Sequence, residues 1–513
     1  MNDIFLDVES SISGRRWTGP NISVDRQAEM ILQETNFSSA MANVLARLGV
    51  EANQVKNYIK PSLRDLMPNP LKILDMEKAA SRINIAVNNH ERIAIFADYD
   101  VDGATSGALL HDWLTQLGNI PTLYVPDRIE EGYGPNIVAM ETLANVHDLI
   151  ICVDCGTLSH ETINKITNTD IIILDHHLGG ETLPNAYAVV NPNRQDEKGD
   201  LYYLCAAGVV FLTLVAANSI RRNNNKSTPD LLNMLDLVAL GTVADVAPLI
   251  GFNRALVRQG LKVMAKRERI GITALSDIAK MNNAPSPYHL GYLLGPRINA
   301  GGRVGKADLG IRLLTCKNFD EANSIADKLN QLNDERRSIE ATVQIQALEQ
   351  VEKMDSNSAL AWAAGEGWHP GVVGIVASRI KEITNKPTVV IGLDEHEGKG
   401  SGRSISGIDL GSSIATLQRE NLIIRGGGHK MAAGLSLERE KLEIAMSRLN
   451  ELLANQGSKS FQTRELQLDG ALSLPAITIE LLEQLETAGP FGAGAPGPRF
   501  ALPFMRITFA KRA

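Results

Sequence analysis

Three short apolar runs each break off at acidic or imidazole residues, and this pattern limits the chain more than any other feature. RIAIFADYDVDG leads to Asp98, Asp100 and Asp102, DLIICVDCG to Asp154, and DIIILDHH to Asp175, His176 and His177. A fourth segment, LVALGTVADVAPL, supplies Asp245. Continuous apolar runs alternating with helical segments predict a parallel sheet covered on both faces. Ligand sites in such sheets lie outside the C-terminal strand ends, where these residues fall. So many carboxylates at one sheet edge would repel, and burying one unpaired carboxylate already costs several kcal/mol. The cluster therefore predicts cations. Oxygen ligands favour Mg2+ or Mn2+, and an added imidazole tilts the balance towards Mn2+. Two such ions about 3.5–4 Å apart acidify a water and stabilise an in-line phosphoryl displacement.

Asp98, Asp100 and Asp102 recur at two-residue spacing, so on an extended segment they would point one way and serve two adjacent ions. Taken alone the stretch reads better as a turn-forming acidic loop, since Asp-Gly is a common turn dipeptide. Joined to VDCG and LDHH, the metal reading prevails.

The length of 513 residues allows three or more domains. A formal charge of −8 gives no pointer to nucleic acid, although a local basic groove matters more than the total. Four cysteines fit a reducing compartment without a disulfide framework. Cys152 and Cys155 form a C-x-x-C, but no second pair follows, so a structural zinc is not expected. The N-terminus lacks the basic start and apolar core of a signal peptide. Residues 201–218 are uncharged and reach spanning length, yet they separate Asp175 from Asp245, which one site needs together. They are read as a buried helix, and the protein as cytoplasmic, with no membrane partner.

The chain divides into five stretches. Residues 1–80 read as a helical N-terminal extension, 81–251 as the acidic α/β catalytic domain, and 252–357 as a helical insertion with a connecting helix. In that insertion Arg254, Arg258, Lys262 and Lys266 make a four-residue stripe that suits either a phosphate backbone or a solvated face. The connecting helix is expected from an N-cap at Asn318 with Glu321 three residues on. Residues 358–456 read as a second, smaller α/β domain, with a helix opened by Pro370. Residues 463–513 read as strands around a short helix, an OB-like β domain that breaks off in mid-pattern at Ala513.

Gly426 to His429, the string GGGH, offers backbone N–H groups and an imidazole to an anion. A strand rather than a helix follows and no G-K-[ST] occurs, so a nucleotide P-loop is not expected. A tight turn explains the glycines as well as phosphate binding does. Ser401, Arg403 and Arg379 lie nearby in sequence, and arginine forks suit phosphate oxygens.

DYDVDG, VDCG, LDHH and TVADVAPL in this order, followed by a GGGH domain, resemble the DHH phosphoesterase superfamily with its DHHA1 partner domain. EGYGPN, GPRINAGGRVGKAD, GWHPGVVGIVASRI and GPFGAG are similar to one branch, the bacterial RecJ family of single-strand-specific 5′ exonucleases. The resemblance runs through nearly the whole chain. It implies that Asp100, Asp102, Asp154, His176 and Asp245 ligate two metal ions, with Asp154 bridging. It makes Asp98 and Asp175 ligands or orienting groups and puts His177 on the scissile phosphate. Arg303, Arg379, Ser401, Arg403 and His429 would hold the strand or its 5′-phosphate. The implied reaction is 5′–3′ hydrolysis of single-stranded DNA to 5′-mononucleotides in recombination and repair. The implied protein is a monomer working beside a single-strand-binding protein and a helicase. One departure is Ala495-Pro496-Gly497-Pro498, where the family has Asn-Pro-Glu-Pro. Together with the short OB-like tail it implies a weaker grip on long DNA. The alternative is a DHH-type phosphodiesterase for short oligonucleotides or cyclic dinucleotides, against which the N-terminal extension, the insertion and the trailing domain argue. A silent DHH-like scaffold would not need the full ligand set.

Overall fold

The computed structural model describes residues 4–128, 131–355, 357–457, 464–506, 508, 509 and 511. They form two compact units, Met1–Glu9 with Trp17–Asn330 and Leu466–Ala513, and Ser10–Arg16 with Gln331–Glu465. The fold is α/β, as the apolar runs predict.

In the first unit five strands pair in parallel: β1 (Ile93–Ala97), β2 (Thr122–Tyr124), β3 (Leu149–Val153), β4 (Asp170–Leu174) and β5 (Ala188–Val190), in the order β2-β1-β3-β4-β5. Every residue of β1 and β3 is buried, which is why those runs are apolar without alternation. The register decides the site. Ala97 pairs with Val153 and Val153 with Leu174, so the next residues, Asp98, Asp154 and Asp175, leave the sheet in one row. Their N–H groups extend the ladder by one step, to Val153 O, Leu174 O and Val190 O.

The helices Val101–Gln116, Ala206–Asn223 and Leu235–Ala244 belong to the same unit, and most of their residues are buried. Residues 206–214 are therefore core, as the uncharged 201–218 segment predicts. Among the described residues no helix is long and apolar enough to cross a membrane. Another core cluster joins Phe96, Cys152, Cys155 and Ile173 to Met140, Leu143 and Ile163. The two cysteines of the C-x-x-C are thus packed side chains of the sheet.

The helices Ile22–Glu34 and Ser39–Arg47 share a core with Leu481, Leu485 and Ala488 from the trailing segment. That segment carries a parallel strand pair of two residues each, Gly470–Ala471 and Phe500–Ala501, and a helix, Ile479–Thr487. Of the last predicted strand, Ile507, Ala510, Arg512 and Ala513 lie outside the described residues.

The structure takes Arg254 and Arg258 out of the basic stripe, while Lys262 and Lys266 stay exposed. Arg254 is 2% exposed, and its guanidinium donates to the carbonyls of Tyr58, Ala488, Gly489 and Pro490. Arg258 donates to Ile59 O. Four-residue spacing marks one helix face without telling whether that face meets water or chain.

The helix Phe319–Val351 begins as the sequence predicts, with Asn318 Oδ1 accepting from Glu321 N at 3.0 Å. The second unit holds a mixed sheet of β6 (Ala361–Glu366), β7 (Thr388–Leu393), β8 (Glu397–Arg403), β9 (Arg425–Gly428) and β10 (Ala432–Glu438), in the order β9-β10-β8-β7-β6. Only β6 and β7 run parallel. Two core clusters serve this unit. One includes Val372, Val376 and Ile380 of the helix Pro370–Thr384, the other Ile414 and Leu449 of two further helices.

Candidate functional site

The acidic residues converge above the row formed by β1, β3 and β4. Three overlapping groups have ligand atoms within 4.8 Å of one another: Asp98, Asp100 and Asp154; Asp102, His176 and Asp245; Asp154, His176 and His177. Seven of the eight sequence candidates are thereby brought together, and Asp175 stands behind them.

The triplet reaches the site by a different route from the extended segment expected of it. Asp98 follows β1 directly. Asp100 is the N-cap of the helix Val101–Gln116, its Oδ1 accepting from Asp102 N at 2.9 Å and Gly103 N at 3.0 Å. Asp102 already belongs to the first helical turn. A capped helix start, and not strand alternation, turns these carboxylates inward. Asp102 is 1% exposed and takes N–H bonds from Ala206 at 2.6 Å and Ala207 at 2.9 Å, at the start of the next buried helix. Asp245 caps the C-terminus of Leu235–Ala244.

Asp154 adopts φ +61°, a left-handed conformation that aspartate tolerates better than most residues. Its Oδ1 lies 3.2 Å from His176 Nε2 and 3.9 Å from His177 Nδ1. Asp175 differs in kind. Its Oδ1 accepts from His176 N, His177 N and His177 Nδ1 at 2.8, 3.2 and 2.8 Å, and its Oδ2 from Thr157 N at 3.0 Å. Its Oδ1 is fully engaged in holding the imidazole pair, and Asp175 falls outside the three groups of close ligand atoms.

Electrostatics divides the cluster the same way. Burial, then the repulsion of neighbouring carboxylates, pushes Asp98 and Asp154 well above the usual carboxylate range. Asp245 is pushed up to about 8 by burial and by Asp102 and Asp100. Burial also raises Asp102. Asp175 goes the other way: burial opposes its charge, but His177 and the Thr157 N–H hold it well below the ordinary value. His177 rises to about 9, since Asp175 outweighs the effect of burial.

The donor set fits divalent cations. Oδ1 of Asp98 is buried without a hydrogen-bond partner, and buried Oδ1 of Asp154 meets His176 Nε2 at 3.2 Å without forming an aligned hydrogen bond. A buried polar atom left so costs about 1–3 kcal/mol, more when charged. Hard oxygen donors with one or two imidazoles are the chemistry of Mn2+ and Mg2+ sites.

Several site residues were not picked out from the sequence. Tyr133 donates to Asp154 O at 3.2 Å, and its hydroxyl lies 3.3 Å from His177 Nε2. Asn193 Nδ2 holds His176 O and Asn191 Nδ2 holds His177 O, fixing the backbone of the imidazole pair. Asn299 Oδ1 accepts from Val101 N. Tyr133 and Asn299 stand in EGYGPN and GPRINAGGR, so the signal lay in those strings without saying what the residues touch.

Arg303 ends the helix Gly295–Val304. It stands next to Gly302, where a Cβ would lie 3.0 Å from Tyr99 Cβ, so this arginine adjoins the Asp98–Asp102 loop. The other predicted substrate residues lie in the second unit. Ser401 and Arg403 are on β8, with Arg403 Nη1 donating to Ser401 Oγ at 2.9 Å. Arg403 pairs with Ala432, whose carbonyl accepts from His429 N at the hairpin end. A Cβ on Gly374 would come within 2.9 Å of Ser401 Oγ and 3.1 Å of Arg403 Nη2, so the helix Pro370–Thr384 borders the same patch. His369, which caps that helix by accepting from Gly371 N, was not singled out from the sequence. Arg379 is half-exposed and faces Glu340 and Glu382 at 3.6 and 3.8 Å. Gly427 and Gly434 pair across β9 and β10 with open space where each Cβ would be. The GGGH string is therefore strand edge and hairpin, flat enough for a backbone to approach.

Residues 92–242 match the model of the DHH family, N-terminal domain, 355–455 the DHHA1 domain, and 468–513 the RecJ OB domain. The chain is 38% identical to the single-stranded-DNA-specific exonuclease RecJ of Escherichia coli, over 90% of this chain and 82% of that one. Its fold is similar to that of Thermus thermophilus RecJ in complex with Mn2+, with TM-score 0.81 and 28% identity over 96% of this chain and 70% of that one. The Mg2+ complex of that protein matches with TM-score 0.75 and 28% identity, over 94% and 67%.

Proposed function

The chain belongs to the RecJ family of single-stranded-DNA-specific exonucleases, and from that premise we propose which of its residues perform the hydrolysis and how. It is a metal-dependent exodeoxyribonuclease acting on single-stranded DNA, with Mn2+ or Mg2+ as cofactor. The observation that carries the residue roles is the pair of buried oxygens on Asp98 and Asp154 that accept no aligned hydrogen bond inside the clustered carboxylates.

Asp98, Asp100 and Asp154 would hold one ion, and Asp102, Asp154, His176 and Asp245 the second, so Asp154 belongs to both. The ions supply Lewis acidity to a water nucleophile and to the phosphoryl oxygens. Asp175 positions the imidazole pair. Because it binds His177 Nδ1, the ring is aligned with Nε2 on its other edge, where the N–H would turn from the Tyr133 hydroxyl at 3.3 Å to a phosphate oxygen. Tyr133 steadies that ring from the other side. Arg303 neutralises charge on the strand beside the Asp98–Asp102 loop. In the second unit Ser401, Arg403, His429 and the open glycine strand would take phosphates, the 5′ end among them, with Arg379 adding charge. Cleavage from the 5′ end, release of 5′-mononucleotides, a role in recombination and repair, a cytoplasmic location, and a helicase and a single-strand-binding protein as neighbours extend the same reading.

The test uses labelled long single strands, duplex DNA and dinucleotides, each with Mn2+, Mg2+ or EDTA. Degradation of long single strands, abolished by EDTA, is expected, and 5′-end labels should appear as mononucleotides first. Hydrolysis confined to dinucleotides would favour the small-substrate phosphodiesterase instead.

A further inference from the structure

Beside Asp245 lies an apolar cavity of about 320 Å3, lined by Val246, Leu249, Pro287, Tyr288, Tyr292 and Phe491 among others. Its location is set by close backbone packing. A Cβ on Gly291 would lie 3.5 Å from Val243 Cγ1, and one on Gly295 3.3 Å from Ala244 Cβ. The turn His289–Leu294 therefore sits against the two residues that precede Asp245. That turn is π-helical, a form that concentrates at functional sites.

Tyr288 and Tyr292 project from this turn and stack on each other, ring centres 5.3 Å apart with 25° between planes. They remain 62% and 72% exposed, and the neighbouring Val246 is 70% exposed. Two large aromatic rings and a valine are thus left largely in water next to Asp245. Every nucleobase offers a flat π-face, and stacking on protein aromatics is how single strands are held without sequence preference.

We propose that Tyr288 and Tyr292 form a base-stacking platform, with the Val246–Phe491 cavity as its floor, that receives a nucleobase adjoining the scissile phosphate. The occupant is the DNA substrate itself, because the cavity is lined by Val243, Ala244 and Val246, the residues on either side of Asp245. The inference rests on the exonuclease reading above. The platform sets grip and register of the strand and takes no part in bond breaking.

The test compares wild type with Tyr288→Ala, Tyr292→Ala and the double variant on long single-stranded DNA with Mn2+. Losing one stacking ring should raise KM roughly tenfold and leave kcat nearly unchanged. Hydrolysis of bis(p-nitrophenyl) phosphate, which has no base, should be unaffected, and Tyr→Trp should restore KM. In wild type, moving a single abasic residue along the oligonucleotide should find one position that reproduces the KM defect, with no added effect in the double variant. That arm reads the platform even if an alanine variant fails to fold. Wild-type KM in a folded double variant, or an abasic scan without such a position, overturns the platform. Wild type inert on every single strand would overturn the exonuclease reading instead.

Discussion

Asp154 combines a left-handed backbone, near-complete burial and an oxygen that accepts no aligned hydrogen bond. Asp154→Asn keeps the shape and tolerates the same φ, so it removes charge with little strain. Turnover should fall at least about a hundredfold, the loss typical of a key electrostatic group. The metal-free variant should melt no lower than wild type, because one member of a repelling set is gone. Steady-state kinetics with scanning calorimetry checks both, and wild-type turnover would rule out a shared ligand. Asp175→Asn should instead lower kcat about 10–100-fold through a misaligned imidazole pair, and should weaken Mn2+ binding less than Asp154→Asn does in a calorimetric titration. The raised carboxylates also set a pH dependence. Their folded pKa values lie above the unfolded value of about 3.9, so their contribution to stability is full below that pH and is lost as pH rises. Asp245, at about 8, shows that the window reaches past neutral pH. The melting temperature of the EDTA-treated protein should thus drop from about pH 4 to about pH 8. Added Mn2+ should raise it most at the high end, where the ligands are already deprotonated.

Helices meet this site through glycines at close crossings. A Cβ on Gly241 would stand 2.8 Å from Asp102 Oδ1 and 2.9 Å from Ala207 Cβ, so three helices converge where Asp102 is clamped. Gly241→Ala should cost about 1–3 kcal/mol of stability by overpacking, and should also lower Mn2+ affinity. A melt and a metal titration read the two effects, and a stability loss with unchanged affinity would detach this crossing from the site. The strand runs and the N-cap at Asn318 were legible because each is set by local pattern. The inward turn of Asp100 and Asp102 was not. Two-residue spacing suggests a strand, and only the capping bonds from Asp102 N and Gly103 N reveal a helix start.

Across the first unit, Arg254 joins segments remote in sequence through carbonyls at Tyr58 and at Ala488 to Pro490. Its stripe suited either a phosphate backbone or a solvated face, and Arg254→Met should leave KM for single strands unchanged. It should lower stability by about 2–4 kcal/mol, since several buried carbonyls lose their donor. Unfolding curves and kinetics on one preparation separate these outcomes. By itself the sequence determined the α/β class, the row of acidic strand ends and the need for divalent cations, because buried strands and clustered carboxylates follow from composition and local order. Only the tertiary structure decided that Asp175 bonds the imidazole pair, that Tyr133, Asn191 and Asn193 contact the same pair, that Arg254 is core, and that two tyrosines stand beside Asp245. Those roles depend on which distant groups a side chain meets, and hydrogen-bond saturation and burial are properties of the packed chain.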